Sequence, residues 1–264
     1  MADDRPSYTA PALEKGLDIL ELLAAAARPM GTRQIADELG RSKNEIFRMV
    51  HVLLGRGYLQ RDEAGEGLVL SSKLFGLGMQ TARPRDLVST AAPIVEAFAT
   101  EVHQAAHLVV AHRGETVVIA ATSGGADMNF SLKLGYRRPL ADAHSGLVLM
   151  AFQSGPERAR MLADSLALMS SPPGRGALEA RLEAVRRQGA IIHESRDIVG
   201  VTDIACPILG ADGHALACVT VAAVSRRSAP PDFEAVLARL KLACAAIARE
   251  LSGFAPPPAP SDGA

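Results

Sequence analysis

The stretch RQIADELGRSKNEIFRMVHVLLGRGYLQRD, Arg33 to Asp62, decides how the N-terminal part of the chain folds. Ile35, Ala36 and Leu39 recur at helical spacing, with Thr32 placed to cap the helix and Gly40 where a left-handed C-terminal cap is expected. Ser42-Lys43-Asn44-Glu45 is an S-x-x-E capping box. It opens a second helix whose apolar face is Ile46, Val50, Leu53 and Leu54, ended by Gly55 and Gly57. Tyr58 to Arg61 and Leu68 to Leu70 read as two short strands around the turn residues Asp62 to Gly67. Upstream, Pro11 opens a helix striped by Leu13, Leu17, Leu20 and Leu23. Three short helices and a hairpin make a winged helix-turn-helix, in which the third helix offers its N-terminal residues to the DNA major groove.

Charge is concentrated in that stretch. Lys plus Arg is 28 and Asp plus Glu is 29, a formal net charge of −1, so the whole-chain balance points to no partner. Between Arg41 and Arg61, however, Arg41, Lys43, Arg48, Arg56 and Arg61 face only Glu45. The candidate DNA contacts are Arg33, Arg41, Ser42, Lys43, Asn44, Glu45, Arg48 and Arg61. Arg41 and Lys43 suit phosphates. Asn44 suits adenine, Glu45 cytosine, and Arg48 a base edge or a phosphate. Glu45 also has the plainer role of partner to Ser42 in the cap.

Beyond the hairpin, Ser71 or Ser72 caps a further helix through Leu74, Leu77 and Met79, and Pro84 marks a joint near 83–86. Asp86 to Val102 is a long helix. Ala106 to Ala111 and Thr116 to Ala121 form a hairpin, and Ser131 to Leu134 reads as a strand. Ser145 to Phe152 is a buried helix; Pro156 to Leu168 and Ala177 to Gln188 are helical. Ile204 to Leu209 and Leu216 to Val224 are strands around the turn Ala211 to His214, and Asp232 to Leu251 is a closing helix. Antiparallel strands with helices at their ends give an α+β class.

Other function classes fall away on composition and motif. The longest apolar runs, such as Leu147 to Phe152, are far short of the roughly 18 residues that span a bilayer. The polar start MADDRPSYTAP is no secretory signal, and an odd count of 3 cysteines without a CxxC pair fits a reducing cytoplasm. Trp is absent and aromatics are 4%, which argues against stacking platforms for single strands. No P-loop or dinucleotide glycine motif is present, so no cofactor is expected. His103, His107 and His112 do not share a face, so no metal site is expected. Ser145 beside His144 lacks a nucleophile elbow, so no catalytic residue is assigned.

The segments ALEKGLDILELLAA, RQIADELGRSKNEIFRMVHVLLGRGYLQRD, LSSKLFGLG, LGYRRPLADAHSGLVLMAF and IACPILGADG, with the closing helix, resemble in order and spacing the IclR family of bacterial transcription regulators. The resemblance implies a winged helix-turn-helix over 9–71, a linker helix over 72–86, a GAF-like effector-binding domain over 87–254, and a disordered tail over 255–264. It implies dimers or dimers of dimers on palindromic double-stranded operators, in the cytoplasm, controlled by a small metabolite such as an organic or aromatic acid. Carried over residue by residue, the effector positions are His144, Ser145, His193, Asp203, Thr220 and Ala222.

This chain departs from the family pattern at Ala141, His144, Leu147 and Ala222, and in the wing at Glu63 and Glu66. Phosphates repel those wing carboxylates, so Arg61 at the wing's base is the expected contact. In the pocket, Ser145 is expected to cap the apolar helix and leave backbone N–H groups for an anion. His144 would donate to a carboxylate, Thr220 would offer a hydroxyl, Arg137 and Arg138 would supply charge, and His193 and Asp203 would form a hydrogen-bonded pair. The competing reading is a small-molecule sensor or enzyme in which the winged helix serves protein assembly.

Overall fold

A computed structural model describes residues 10–26, 28–62, 65, 67–79, 82–124, 130–196, 198–225 and 231–253. Residues 1–9, Glu63 and Glu66 of the wing, and the C-terminal tail lie outside these. Two compact units divide between Arg85 and Asp86.

The N-terminal unit holds α1 (Pro11–Ala26), α2 (Thr32–Glu38), α3 (Lys43–Gly55), β1 (Leu59–Arg61), β2 (Leu68–Leu70) and α4 (Lys73–Met79). One core joins them. Ile19 and Leu23 of α1, Ile35 and Ala36 of α2, Ile46 and Val50 of α3, and Leu59 and Leu68 of the hairpin are buried together with Met30. β1 and β2 pair antiparallel with Leu59 opposite Leu70. Met30 adds an isolated bridge to Leu68 and so ties the hairpin to the α1–α2 connection. Gly40 has φ 60°, a left-handed conformation that a β-carbon would strain, and it lets the chain leave α2 for α3. The cap of α2 is Gly31 rather than Thr32, which is already the first helical residue. A hydroxyl at the cap and one a position later look alike in sequence.

The long α5 (Ala82–Val102) begins before the expected joint and carries Pro84 in its first turn, where a missing N–H costs nothing. The C-terminal unit then adds β3 (Ala106–His112), β4 (Glu115–Thr122), β5 (Arg137–Pro139), α6 (His144–Ala151), α7 (Gly155–Ala167), α8 (Arg175–Gln188), β6 (Ile191–Glu194), β7 (Val201–Leu209), β8 (Ala215–Val224) and α9 (Phe233–Gly253). The strand that follows the β3–β4 hairpin is therefore Arg137–Pro139, not Ser131 to Leu134. The strands form a 6-stranded antiparallel sheet in the order β5-β4-β3-β8-β7-β6.

Side chains alternate across this sheet, as strand geometry requires. Leu108, Ile204, Cys206, Ile208, Val219 and Val221 pack with α5 and α9. Val109, Val118, Ala205 and Cys218 pack on the other side with α6, α7 and α8. α6 is buried on nearly every side, which its apolar run Gly146 to Ala151 allows. All 3 cysteines are buried free thiols.

Candidate functional site: a basic helix face and a polar cavity

In the N-terminal unit the capping box forms as read. Ser42 Oγ accepts from the Glu45 N–H at 3.4 Å, and Glu45 Oε2 accepts from the Ser42 N–H at 3.2 Å and from its hydroxyl at 2.7 Å. Lys15 of α1 donates to the other carboxylate oxygen at 2.5 Å. Lys15 and then Ser42 hold the Glu45 carboxyl down at about 2. The side chain weighed for cytosine is thus engaged within the fold.

Ile46 and Val50 turn inward, so Lys43, Asn44, Phe47, Arg48 and His51 are left on the exposed surface of α3. Arg33 is exposed on α2. Arg41 leans toward Asp18 of α1 at 3.8 Å. Arg61 closes β1, with Nη1 donating to the Gly65 carbonyl at 3.4 Å. Phe47, which the charge-based reading passed over, is 61% exposed. Its signal was present, because the inward set Ile46, Val50, Leu53 and Leu54 leaves position 47 outside.

In the C-terminal unit, a cavity of about 100 Å³ has His144, Ser145, Asp203, Thr220 and Ala222 in its wall. Sheet alternation and register bring them together. Thr220 and Ala222 share one face of β8, Ala222 lies opposite Asp203 of β7, and Thr220 lies opposite His107 of β3. Val109, Val118, Leu132 and Tyr136 add apolar wall, and Arg138 adds a cation whose Nη2 donates to Asp142 at 2.5 Å. Arg137 instead pairs with Glu115 at 3.1 Å.

The first turn of α6 meets this wall because Gly146 has no side chain. A β-carbon there would fall on the Leu140 backbone, 2.6 Å from its Cα. The 3₁₀ turn Leu140–Asp142 is itself fixed by Leu140 N–H to the Gly114 carbonyl at 2.9 Å and by Ala141 N–H to Ser165 Oγ at 2.9 Å. Ser145 does not cap α6. The cap is Ala143, which has no capping side chain, and Ser145 is the second helical residue. The α6 N-terminus thus lacks a capping side chain at the cavity wall.

The expected pair of His193 with Asp203 is replaced by another. Those residues are opposite each other in the sheet, but Asp203 Oδ2 accepts from His144 Nδ1 at 2.8 Å. His193 is exposed, its Nδ1 donates to the Glu194 carbonyl at 3.1 Å, and its ring lies 5.2 Å from that of His144. It is absent from the cavity wall. With Nδ1 given to Asp203, the buried Nε2 of His144 has no partner among the described residues.

His107, dismissed as a metal ligand, is fully buried in the same wall. Its Nε2 accepts the Leu132 N–H at 2.8 Å, so Nδ1 carries the proton. The Thr220 backbone lies near Nδ1 but not in hydrogen-bonding geometry. Burial drives this imidazole down to about 4, against smaller opposing pulls from the Thr220 backbone and Asp203. Among the described residues, two buried ring nitrogens of the cavity wall thus lack partners, an arrangement that costs stability unless something else meets them. Among the described residues no group of three or more His, Cys, Asp or Glu is placed to hold a metal.

Two family models match the chain in order. The IclR helix-turn-helix domain matches residues 12–63, and the bacterial transcriptional regulator IclR C-terminal domain matches residues 79–249. The glycerol operon regulatory protein of Streptomyces griseus is 25% identical over 243 residues, 90% of this chain and 95% of the relative. The Pca regulon regulatory protein of Pseudomonas putida is 24% identical over 79% of this chain and 72% of its own. An IclR homolog from Microbacterium hydrocarbonoxydans, solved in complex with 4-hydroxybenzoate, superposes with a TM-score of 0.77 at 22% identity, over 92% of this chain and 99% of that one. The winged helix, the sheet domain and both matches agree: the chain belongs to the IclR family of transcription regulators, not to an enzyme family.

Proposed function

We propose that this regulator binds a palindromic operator as a homo-oligomer in the cytoplasm and is controlled by a small organic or aromatic acid held in the cavity. Residues 9–71 contact DNA, 72–86 form the linker and 87–254 receive the effector. The observation that carries the effector reading is the buried His144 Nε2 in the cavity wall, left without a partner among the described residues. His144, Ser145 and Thr220 provide polar contacts to the ligand, and the α6 N-terminus favours its carboxylate. Asp203 positions His144, Ala222 leaves room, and His193 acts through its ring contact with His144. The 4-hydroxybenzoate complex of the Microbacterium homolog supports an aromatic acid.

On the DNA side, Arg33, Arg41, Lys43 and Arg61 meet phosphates. Asn44 and Arg48 read bases, while Ser42 and Glu45 hold the helix that presents them. The effector acts by binding the operator-competent and incompetent states with different affinity. Affinity for an operator selected from random duplex should fall by about a thousandfold between roughly 50 and 200 mM salt. Salt-insensitive association would indicate that the winged helix serves assembly instead. A thermal-shift screen of small carboxylates should find a stabilising acid. Ser145→Phe should abolish that shift and the operator response while leaving operator binding intact. An unchanged response would move the effector site elsewhere.

A further inference from the structure

The surface of α3 that carries its basic residues also carries a large apolar side chain. Phe47 is 61% exposed, although Ile46 beside it and Val50 are buried in the core of the unit. It lies one helical turn after Lys43 and Asn44, next to Arg48, and one turn before His51, all of them exposed. The sole carboxylate of α3 is Glu45, and Ser42 and Lys15 occupy it. The surroundings of the ring are therefore cationic, which suits a polyanion and not an apolar protein face. A hydrophobic ring between cationic and amide groups matches one surface in particular. In the major groove the thymine 5-methyl is an apolar group among hydrogen-bonding base edges and phosphates.

We propose that Phe47 is a specificity-determining residue that packs against a thymine methyl in each operator half-site. The inference rests on α3 being the recognition helix. It explains why a phenyl ring stands on a face where a polar residue would be better solvated, and it adds a base preference to those of Asn44 and Arg48.

The test begins with an operator selected by the full-length protein from random duplex DNA. Each thymine is then replaced singly by deoxyuridine, which keeps the base pair and deletes only the methyl. Covering one methyl accounts for about a fourfold change, or about fifteenfold with both half-sites substituted. One position per half-site should show that loss with the wild-type protein and none with Phe47→Ala. Phe47→Leu, still apolar, should keep part of it. Because the ring is exposed, Phe47→Ala should melt as the wild type does. Insensitivity at every thymine overturns the inference and leaves the regulator reading standing. So does equal sensitivity in Phe47→Ala, because another residue then reads the methyl. Failure to select any operator overturns both.

Discussion

The two candidate interfaces solve opposite problems. On α3 the polar groups stand in water with few partners, and only Glu45 is drawn into the fold. In the cavity the two histidine rings are buried and Ser145, Asp203 and Thr220 half-buried, and two ring nitrogens have no partner among the described residues. Exposed charges cost little and wait for a strongly charged partner to align them, so removing one should change binding and not folding. Buried polar groups are tied to the packing that encloses them, so disturbing the cavity should reach the stability of its whole unit. The same residue types, histidine and arginine, therefore mean different things in the two places.

The contrast is open to direct attack. The largest effect is expected at Gly146→Ala. The added methyl meets the Leu140 backbone, which cannot swing aside as a side chain would, and about 3 kcal/mol of stability should be lost. Thermal unfolding should show the loss in the C-terminal unit, with amide exchange on α3 unchanged.

Acid should weaken the cavity unit in the same selective way. The His107 ring is held near 4 in the folded state and takes its proton near 6.5 when unfolded, so below neutrality the unfolded chain binds more protons. The stability from this buried neutral ring is complete above pH 6.5, falls between 6.5 and 4 by about 3 kcal/mol, and levels off below that. His107→Gln keeps an acceptor for Leu132 and should remove most of this slope in denaturant titrations at several pH values.

Arg48→Ala tests the exposed side. Specific affinity should drop by about 1–3 kcal/mol per half-site, with melting and oligomeric state unaltered. A matching loss of stability would show that the helix face is not the passive surface described. The smallest effect is expected at Ser42→Ala, where loss of the cap removes about 1 kcal/mol from the N-terminal unit. Amide exchange in the first turn of α3 would register it, and a silent result would mean that Lys15 alone fixes Glu45.

Much of the winged helix was legible because its signals are local. The Ser42–Glu45 box, Gly40 and the stripe Ile46, Val50 act within a few residues of themselves. Positions of single caps were less legible. Thr32 and Ser145 each stand within two residues of a true cap, and a shift of that size leaves the apolar pattern unchanged. In the cavity, the family resemblance named five residues that do share one wall. The expected pair of His193 with Asp203 did not form, because register alone cannot say which neighbour a carboxylate turns toward.

From the sequence alone came the two-part α+β organisation, the basic face of α3 and the candidate DNA contacts, since helical and strand periods and capping chemistry are written in consecutive positions, while the candidate cavity residues came from the resemblance to the IclR family. Tertiary structure decided the rest. His144 meets Asp203 across a separation of 59 residues. The His107 imidazole is pushed down by burial, which depends on β3 lying beside β8 and on Leu132 reaching its ring. Burial and pairing at such range depend on which strands become neighbours, and no local pattern of residues specifies that.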